Sequence, residues 1–376
     1  MRGGKHPGER TLGLCASPQK PTAALPNIGV HNVGMEITCP KLGKLFVTAL
    51  FAALLCGCGG LGERSVARDD AGHPDAGSLA ADSGLAADQV QPQTATVVVL
   101  PDTQYYSSDF PSTFTAQTNW ILEQKTARNI AVALHEGDIV DVATDLPQWD
   151  VAGTSMRVLD GKVPYVLVPG NHDVDGDRQG PIDDYFNPES MPWITGTMIA
   201  GKIENNYALV DIGPRQWLVV GLEYGPRDAV ITWADAVLKA YADRPAIILT
   251  HAYLYSDGTR YHSPDQSFYP VGYTPAEDIN DGEMIWQKLI VPNANVRLVF
   301  CGHDFGAARL TSTRPDGSRV HQMLADYQWL VDGGSGYLRA LEFDYDKKEI
   351  RVETYSPTLD QFLTDDANQF TVSLEL

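Results

Sequence analysis

Short apolar runs follow one another along the chain from Thr94 onward, and polar segments rich in glycine, proline and aspartate separate them. Runs of about four to eight such residues, bounded by turn formers, are typical of buried strands. The pattern predicts strands at residues 96–100, 130–134, 165–168, 207–212, 217–222, 246–250 and 296–301.

The spacing of apolar residues marks one helix clearly, with Asp228 as its predicted cap. Its apolar face consists of Val230, Trp233, Ala234, Val237, Leu238 and Tyr241. Further helices are predicted at residues 112–127, 149–159 and 283–290. The end of the chain predicts antiparallel strands at 309–313, 319–325, 337–344 and 349–355, the first two joined through a turn at residues 315–317. Strands flanked by helices and followed by a meander predict a mixed α/β layered fold.

The composition narrows the class of protein. The chain has 376 residues, 43% of them hydrophobic, and a formal net charge of -20. This content suits a globular protein with a sizeable core. Nucleic acid is not expected as a partner, because affinity for the phosphate backbone rests on Lys and Arg. The chain also lacks a basic stretch interleaved with aromatic residues, which disfavours a nuclease.

The segment of residues 41–58 has the pattern of an export signal. Two lysines precede an apolar run that is too short to span a bilayer comfortably. The stretch Leu55-Cys56-Gly57-Cys58 resembles a bacterial lipobox, which implies that Cys58 becomes the acylated N-terminus. An ordinary membrane anchor and a cleaved secretory signal are the alternatives. We expect an exported protein, anchored by lipid to the periplasmic or surface side of the bacterial cell envelope.

Three regions follow from this interpretation. Residues 1–57 are the leader and lipoprotein signal peptide, in which Met35 is the suspected true start. Residues 58–93 consist mainly of Ala, Gly, Asp and Ser and are predicted to form a flexible tether. Residues 94–376 form the folded domain. With Cys58 acylated, Cys301 has no cysteine to pair with in the mature chain, so the fold must rest on its core or on metal.

Residues with ligand chemistry follow five of the predicted strands. In chain order these strand ends carry PDTQ, GDIVD, GNHD, a single histidine and GH. Open α/β sheets gather the loops at the carboxyl ends of their strands into one crevice. Oxygen and imidazole ligands in this mixture suit Mn, Fe or Zn better than Ca or Mg. The residues so placed are Asp102, Asp138, Asn171, His251 and His303.

Each of these short patterns is common by itself, but their order behind successive apolar strands resembles the calcineurin-like metallophosphoesterase family over about residues 97–305. The resemblance implies a two-layer mixed β-sandwich flanked by helices, and two divalent metal ions bridged by an aspartate. It implies that Asp102 and Asp138 hold the first metal and that Asp138 bridges to the second. The ligands that complete the second are implied to be Asn171, His251 and His303.

The resemblance also implies catalytic roles. His172 is similar to the family's catalytic histidine, which protonates the leaving oxygen, and Asp141 to the acid that orients it. In such a site two cations neutralise phosphoryl oxygens and activate the attacking water. The implied substrate is a phosphomonoester or a phosphodiester, and both remain open.

Two positions depart from the family's usual motifs. Gln104 stands where the first motif, D-x-H, has histidine, and Phe305 stands where the last motif, often G-H-x-H, ends in histidine. Both missing imidazoles belong to the first metal. Gln104 still offers a carbonyl oxygen, and Asp304 either hydrogen-bonds or ligates. We therefore expect the first site to be weaker than the second.

Aromatic residues and one arginine lie close behind the ligand positions. They are Tyr105, Tyr106, Tyr253, Tyr255, Arg260 and Tyr261. An arginine and a ring can hold a phosphate or an aromatic group, and loop packing is the alternative. Arg260 and Tyr105 are taken as candidates for substrate binding, whereas His135 is interpreted as structural.

Two hypotheses of function follow. The first is an exported, lipid-anchored, metal-dependent phosphoesterase that contacts its phosphoester substrate at this site. The second is a catalytically weakened lipoprotein on the same frame, acting as a binding or scaffold module, which Gln104 and Phe305 motivate. The presence of His172 favours catalysis, because a site that only binds metal has no need of an acid.

Overall fold

The computed structural model describes residues 93–273 and 277–376. The predicted leader, Cys58 and all but the last residue of the predicted tether lie outside the described residues. No helix in the described part has both the length and the apolar character needed to cross a membrane.

Fourteen strands are present in the described ranges. They are β1 (Thr94–Leu100), β2 (Ile130–His135), β3 (Tyr165–Leu167), β4 (Gly196–Thr197), β5 (Asn206–Ile212), β6 (Arg215–Leu222), β7 (Ala246–Thr250), β8 (Val296–Cys301), β9 (Gly306–Thr313), β10 (Arg319–Asp326), β11 (Leu338–Asp344), β12 (Glu349–Ser356), β13 (Gln361–Leu363) and β14 (Phe370–Ser373).

The α-helices are mostly short and lie between the strands. They are α1 (Gln104–Ser108), α2 (Pro111–Gln124), α3 (Leu146–Met156), α4 (Ile182–Tyr185), α5 (Asp228–Ala240), α6 (Pro270–Tyr273), α7 (Gly282–Ile285) and α8 (Val331–Gly334). Single 3-10 turns occur at Arg157–Leu159 and Pro188–Ser190, and α7 continues into a π-helical turn at Trp286–Ile290.

The strands form two seven-stranded sheets. One has the order β13-β12-β11-β1-β2-β3, with β14 beside β12, and the other has the order β4-β5-β6-β7-β8-β10-β9. Strands β1, β2 and β3 run parallel, as do β6, β7, β8 and β10. Each sheet therefore delivers several carboxyl ends to one edge, where loops gather.

Alternation along the central strands explains the layers. Val97 and Val99 of β1 point into a core shared by both sheets, together with Leu249 of β7 and Phe300 of β8. Val98 lies in a second core, on the outer face of the first sheet. Because successive strand residues face opposite sides, one apolar run serves both cores.

Helices cover both outer faces. Side chains of α2 and α3, including Phe114 and Trp149, pack on the first sheet. Side chains of α5 and of the α7 region, including Val230 and Leu289, pack on the second sheet. The predicted α/β fold, a two-layer mixed β-sandwich flanked by helices, is therefore confirmed.

Most differences from the sequence predictions concern element ends and connections. Asp228 is the first residue of α5 rather than its cap, and its carboxylate accepts hydrogen bonds from Asn280 and Lys288. The predicted final meander is divided between the sheets, because β9 and β10 join the second sheet while β11 and β12 join the first. The chain thus crosses from one sheet to the other after Asp326.

Candidate metal centre

The structure brings together side chains that follow β2, β3, β7 and β8. Nε2 of His251 lies 3.2 Å from Oδ1 of Asn171, 3.3 Å from Oδ1 of Asp138 and 3.2 Å from Nδ1 of His303. One ligand atom from each of Asp138, His251 and His303 lies within 4.8 Å of the others, and all three residues are buried. Residues up to 165 positions apart in the sequence thus converge on one point.

Backbone carbonyls fix the orientation of both imidazoles. Nδ1 of His251 lies 2.9 Å from the carbonyl oxygen of Glu136, and Nε2 of His303 lies 2.8 Å from that of Phe268. Because a carbonyl only accepts, these outer nitrogens carry the protons, an assignment made from the partners. When both rings are neutral, Nε2 of His251 and Nδ1 of His303 therefore each present a lone pair to the other. This is the arrangement by which proteins hold histidines as metal ligands.

Electrostatics at this point favour a cation. Burial works against a charge on His251, but Asp138, together with the carbonyl of Glu136 and the charge of Asp173, raises the pKa of His251. Burial likewise opposes the charge of Asp138, yet the nearby His251 and His172 bring the pKa of Asp138 down to about 2. Burial, followed by the charge of His251, lowers the pKa of His303 to about 3. His303 is therefore a neutral nitrogen donor beside an ionised carboxylate.

Two glycines of the motifs leave room for neighbouring carboxylates that lie close to the backbone. A Cβ on Gly170 would collide with the carboxylate of Asp138, and a Cβ on Gly302 would collide with that of Asp102. Asp138 and His303 themselves have φ of 47° and 76°, in the left-handed region that few non-glycine residues adopt. Such strained positions concentrate at functional sites.

His172 and Asp141 form a pair beside the centre. Nδ1 of His172 lies 2.8 Å from the carbonyl oxygen of Asp141 and 3.4 Å from its Oδ1. The backbone N–H of His172 donates to Oδ1 of Asp138 over 2.9 Å. The imidazole is 38% exposed, in contrast to the buried rings of the centre. With Nδ1 engaged by Asp141, Nε2 is the nitrogen left to exchange a proton.

Asp102 and Gln104 follow β1 and carry buried oxygens without a hydrogen-bond partner. Oδ2 of Asp102 accepts from the N–H of His303 over 3.1 Å, but neither Oδ1 of Asp102 nor Oε1 of Gln104 has a partner. Burial and the charges of Asp326, Asp138 and Glu136 raise the pKa of Asp102 well above its usual value. Buried polar atoms are rarely left unsatisfied. A cation bound here would satisfy both oxygens, so these side chains fit the site called the first metal site above.

The structure shows what the last two residues of the last motif, Asp304 and Phe305, contact. Oδ2 of Asp304 accepts from the N–H of Ser256 over 2.6 Å, so Asp304 anchors a loop instead of facing the centre. Phe305 is 46% exposed, and its ring centroid lies 5.5 Å from that of Phe268. Neither residue replaces the missing imidazole.

Asp173 is a structural residue for which the sequence alone predicted no role. Its Oδ1 accepts from the N–H groups of Ile139 and Val140 over 2.8 and 2.9 Å, and its Oδ2 accepts from Gly170 over 2.7 Å. Burial, together with the charge of Asp138, raises the pKa of Asp173 to about 7. Its place at the end of GNHD was the available signal. Asp173 ties the loop after β2 to the loop after β3.

Arg260 is not brought to the centre. Its guanidinium donates to Tyr253, Gln322 and Glu283 over 2.8 to 3.1 Å and lies 4.0 Å above the ring of Trp286. The substrate-binding role predicted for Arg260 has no support in these contacts, because closeness in sequence does not fix where a side chain points. Arg260 instead braces the α7 region against β10.

The structure also shows the surroundings of Tyr105 and His135. Tyr105 is 36% exposed in α1, directly after Gln104. Nε2 of His135 lies 3.0 Å from Oγ1 of Thr103, and its Nδ1 accepts from the N–H of Gly137 over 3.2 Å. These contacts give His135 the structural role expected of it.

A family model described as calcineurin-like phosphoesterase matches residues 95–305, more than half of the chain. The chain belongs to the calcineurin-like phosphoesterase family. The family is described as one of phosphoesterases, and the buried group of Asp138, His251 and His303 agrees with divalent metal binding. The resemblance seen in the sequence is confirmed at the level of the family and its fold.

Individual proteins match parts of this chain. The uncharacterized protein YvnB of Bacillus subtilis (strain 168) is 35% identical over 300 residues, covering 75% of this chain and 22% of YvnB. The chain thus spans less than a quarter of that relative's length. A purple acid phosphatase from yellow lupin (Lupinus luteus) seeds is 17% identical, with a TM-score of 0.47 over 75% of this chain and 55% of its own. GAP50, the anchor in the inner membrane complex of Plasmodium, is 10% identical, with a TM-score of 0.42 over 75% and 89%.

Proposed function

We propose that this domain hydrolyses phosphoesters at a two-metal centre. The observation that carries the proposal is the position of Nε2 of His251, which lies 3.2 Å from Nδ1 of His303 and 3.3 Å from Oδ1 of Asp138, while a backbone carbonyl holds each ring from behind. Asn171, His251 and His303 would hold the second metal, and Asp102 and Gln104 the first, with Asp138 shared. The donor atoms suit Mn, Fe or Zn.

Catalysis divides between the metals and the protein. Bound cations would neutralise phosphoryl oxygens and activate the attacking water. The protein's own task at the leaving group would belong to His172, whose partly exposed ring can reach a substrate. Asp141 holds Nδ1 and so directs Nε2 outward. His172 would thus act as the general acid that protonates the leaving oxygen.

The test is a metal count and an assay on the purified chain. Wild-type protein, His172→Ala and Asp138→Ala would be loaded with Mn, Fe or Zn and assayed with generic phosphomonoesters and phosphodiesters. We expect hydrolysis that needs metal, that Asp138→Ala largely loses with every substrate and that His172→Ala largely loses with alkyl esters, whose leaving oxygen needs a proton. The ratio of diester to monoester rates would decide the reaction type. Hydrolysis no faster than in the variants, with every metal, would overturn the enzyme proposal in favour of a binding module.

We further propose that the enzyme acts outside the cytoplasm, held to the cell envelope by lipid at Cys58. The support is the sequence of residues 41–58 alone. Mass analysis of the mature N-terminal peptide would test this directly. The expected result is an acylated Cys58 that starts the chain, and Cys58→Ala should release the protein from the membrane fraction. An intact, unmodified Cys58 in the mature protein would contradict the proposal.

A further inference from the structure

The first half of the centre is short of ligands. Asp102, Gln104 and the shared Asp138 offer only oxygens, and neither position that usually carries an imidazole does so here. Asp304 is engaged by Ser256, and Phe305 is partly exposed. Three oxygen side chains are few for a divalent cation, which generally takes four to six ligands.

The sheet register brings one more carboxylate to the same edge. Strand β10 runs parallel to β8, with Leu324 beside Cys301, and antiparallel to β9, with Asp326 opposite Gly306. Asp326 is therefore the last residue of a strand whose neighbour delivers Gly302 and His303. It arrives by the same route as the other ligands, at a strand's carboxyl end.

Asp326 is fully buried, and its carboxylate is close enough to that of Asp102 for their charges to interact. It also interacts electrostatically with the carboxylate of Asp138, so the three acids lie near one another. Within the described residues no Lys, Arg or His side chain forms an ion pair with Asp326. A buried acid without a basic partner is costly unless a cation is present.

Gln328 holds Asp326 in place. Its backbone N–H donates to Oδ1 of Asp326 over 2.8 Å and its Nε2 to Oδ2 over 3.1 Å, while its own Oε1 is buried without a partner. Each carboxylate oxygen keeps a lone pair for a further contact. The unsatisfied oxygens of Asp102 and Gln104 are thus joined by a carboxylate whose orientation is already fixed.

We propose that Asp326 completes the first metal site in place of the missing imidazoles. The inference rests on the two-metal centre proposed above and adds its first-site ligand set: Asp102, Gln104, Asp138 and Asp326, all through oxygen. Such a site favours a hard cation such as Mn²⁺, whereas the imidazoles of the second site favour Zn²⁺. The centre would therefore bind two different metals.

Metal binding by the full chain tests the proposal without any assay of activity. Metal-free protein would be loaded with one equivalent of Zn²⁺ and then titrated with Mn²⁺, with free Mn²⁺ read by EPR. Wild type should bind one Mn²⁺. Asp326→Asn should weaken that binding by at least about tenfold, as loss of even a ligand's partner can do, and keep the Zn²⁺. Asp304→Asn is the matched control, because Asp304 is a buried acid of the neighbouring loop with a partner of its own.

A rescue and a spectroscopic measurement complete the design. Phe305→His, added to Asp326→Asn, should restore a second equivalent but with a preference for Zn²⁺. In wild type, pulsed EPR of bound Mn²⁺ should show no directly bound nitrogen, and this measurement needs no variant to fold. Nitrogen ligation to Mn²⁺, or unchanged Mn²⁺ affinity in Asp326→Asn, would overturn the proposal. Failure of wild type to bind Zn²⁺ at all would instead count against the two-metal centre itself.

Discussion

The two halves of the centre differ in how their ligands are held before any metal arrives. In the second half, the outer nitrogens of His251 and His303 donate to carbonyl oxygens, so both rings are oriented by hydrogen bonds. In the first half, Asp102 and Gln104 present oxygens without partners in a buried setting where carboxylates repel one another. The nitrogen half is organised by the protein. The oxygen half depends on the cation for its own stability.

Asp138 connects the halves. It contacts His251 on one side and its charge raises the pKa of Asp102 on the other. The left-handed φ of Asp138 and the missing Cβ of Gly170 show that the backbone is shaped to place this carboxylate. Removing its charge is therefore the most direct test of whether the two halves depend on each other.

Asp138→Asn should have the largest effect. The amide keeps the size of the side chain and can still accept from the N–H of His172, but it loses the charge that both halves share. We expect metal content to fall at both sites, and kcat/KM to fall by about a thousandfold or more, since metals supply several kcal/mol of transition-state stabilisation. Metal analysis and kinetics on the same preparation provide the check. Two retained equivalents would show that the halves do not depend on Asp138.

His172→Ala should come next and should separate catalysis from metal binding. Loss of a general acid typically lowers kcat about 10²- to 10⁴-fold. The loss should be large for alkyl phosphoesters and small for nitrophenyl esters, whose leaving oxygen needs no proton. Both metals should remain. His262→Ala is the control, because His262 is exposed and contacts only its own loop. An equal loss with both kinds of leaving group would argue against the acid role.

The same contrast explains what the sequence could predict. The ligands of the second half could be predicted from the sequence, because they stand in the short patterns GNHD, H and GH directly after apolar strands. The first half could be predicted only in part. Asp326 ends β10 in the sequence ADYQ, which resembles no motif, and only the pairing of β10 with β8 and β9 places it beside the strand that precedes Gly302 and His303.

Contacts between distant parts of the chain also limited how much of the fold could be predicted from the sequence. The buried central strands were predicted within a few residues, because a short continuous apolar run between turn formers is typical of a strand that is covered on both faces. Strands β4, β13 and β14 contain two to four residues and carry no periodic signal. The crossing from β10 to β11 depends on pairing between Val97 and Leu341, which are far apart in the chain, and no local pattern encodes such a contact.

Chelators of different strength should remove the two metals one after the other. A weak chelator should take the cation of the oxygen half first and a strong one both, because imidazoles held by carbonyls bind more tightly. A ligand at 100 to 1,000 times its Kd stabilises the native state by about 3 to 4 kcal/mol. The melting temperature, followed by calorimetry, should therefore fall in two steps as metal content drops from two to one to none. A single step with simultaneous loss would mean that the halves bind as one unit.

Arg260→Ala should have the smallest effect on the centre and marks its boundary. The guanidinium lies over Trp286 and bonds to Tyr253, Gln322 and Glu283, so its loss should cost about 1 to 3 kcal/mol of unfolding free energy. Metal content and kcat/KM should stay close to wild type. Arg128→Ala offers a matched comparison, since Arg128 also pairs with a glutamate and lies over Trp120, but is more exposed and should cost less. A fall in kcat/KM with Arg260→Ala, at unchanged metal content, would extend the site beyond the metals and return Arg260 to substrate binding.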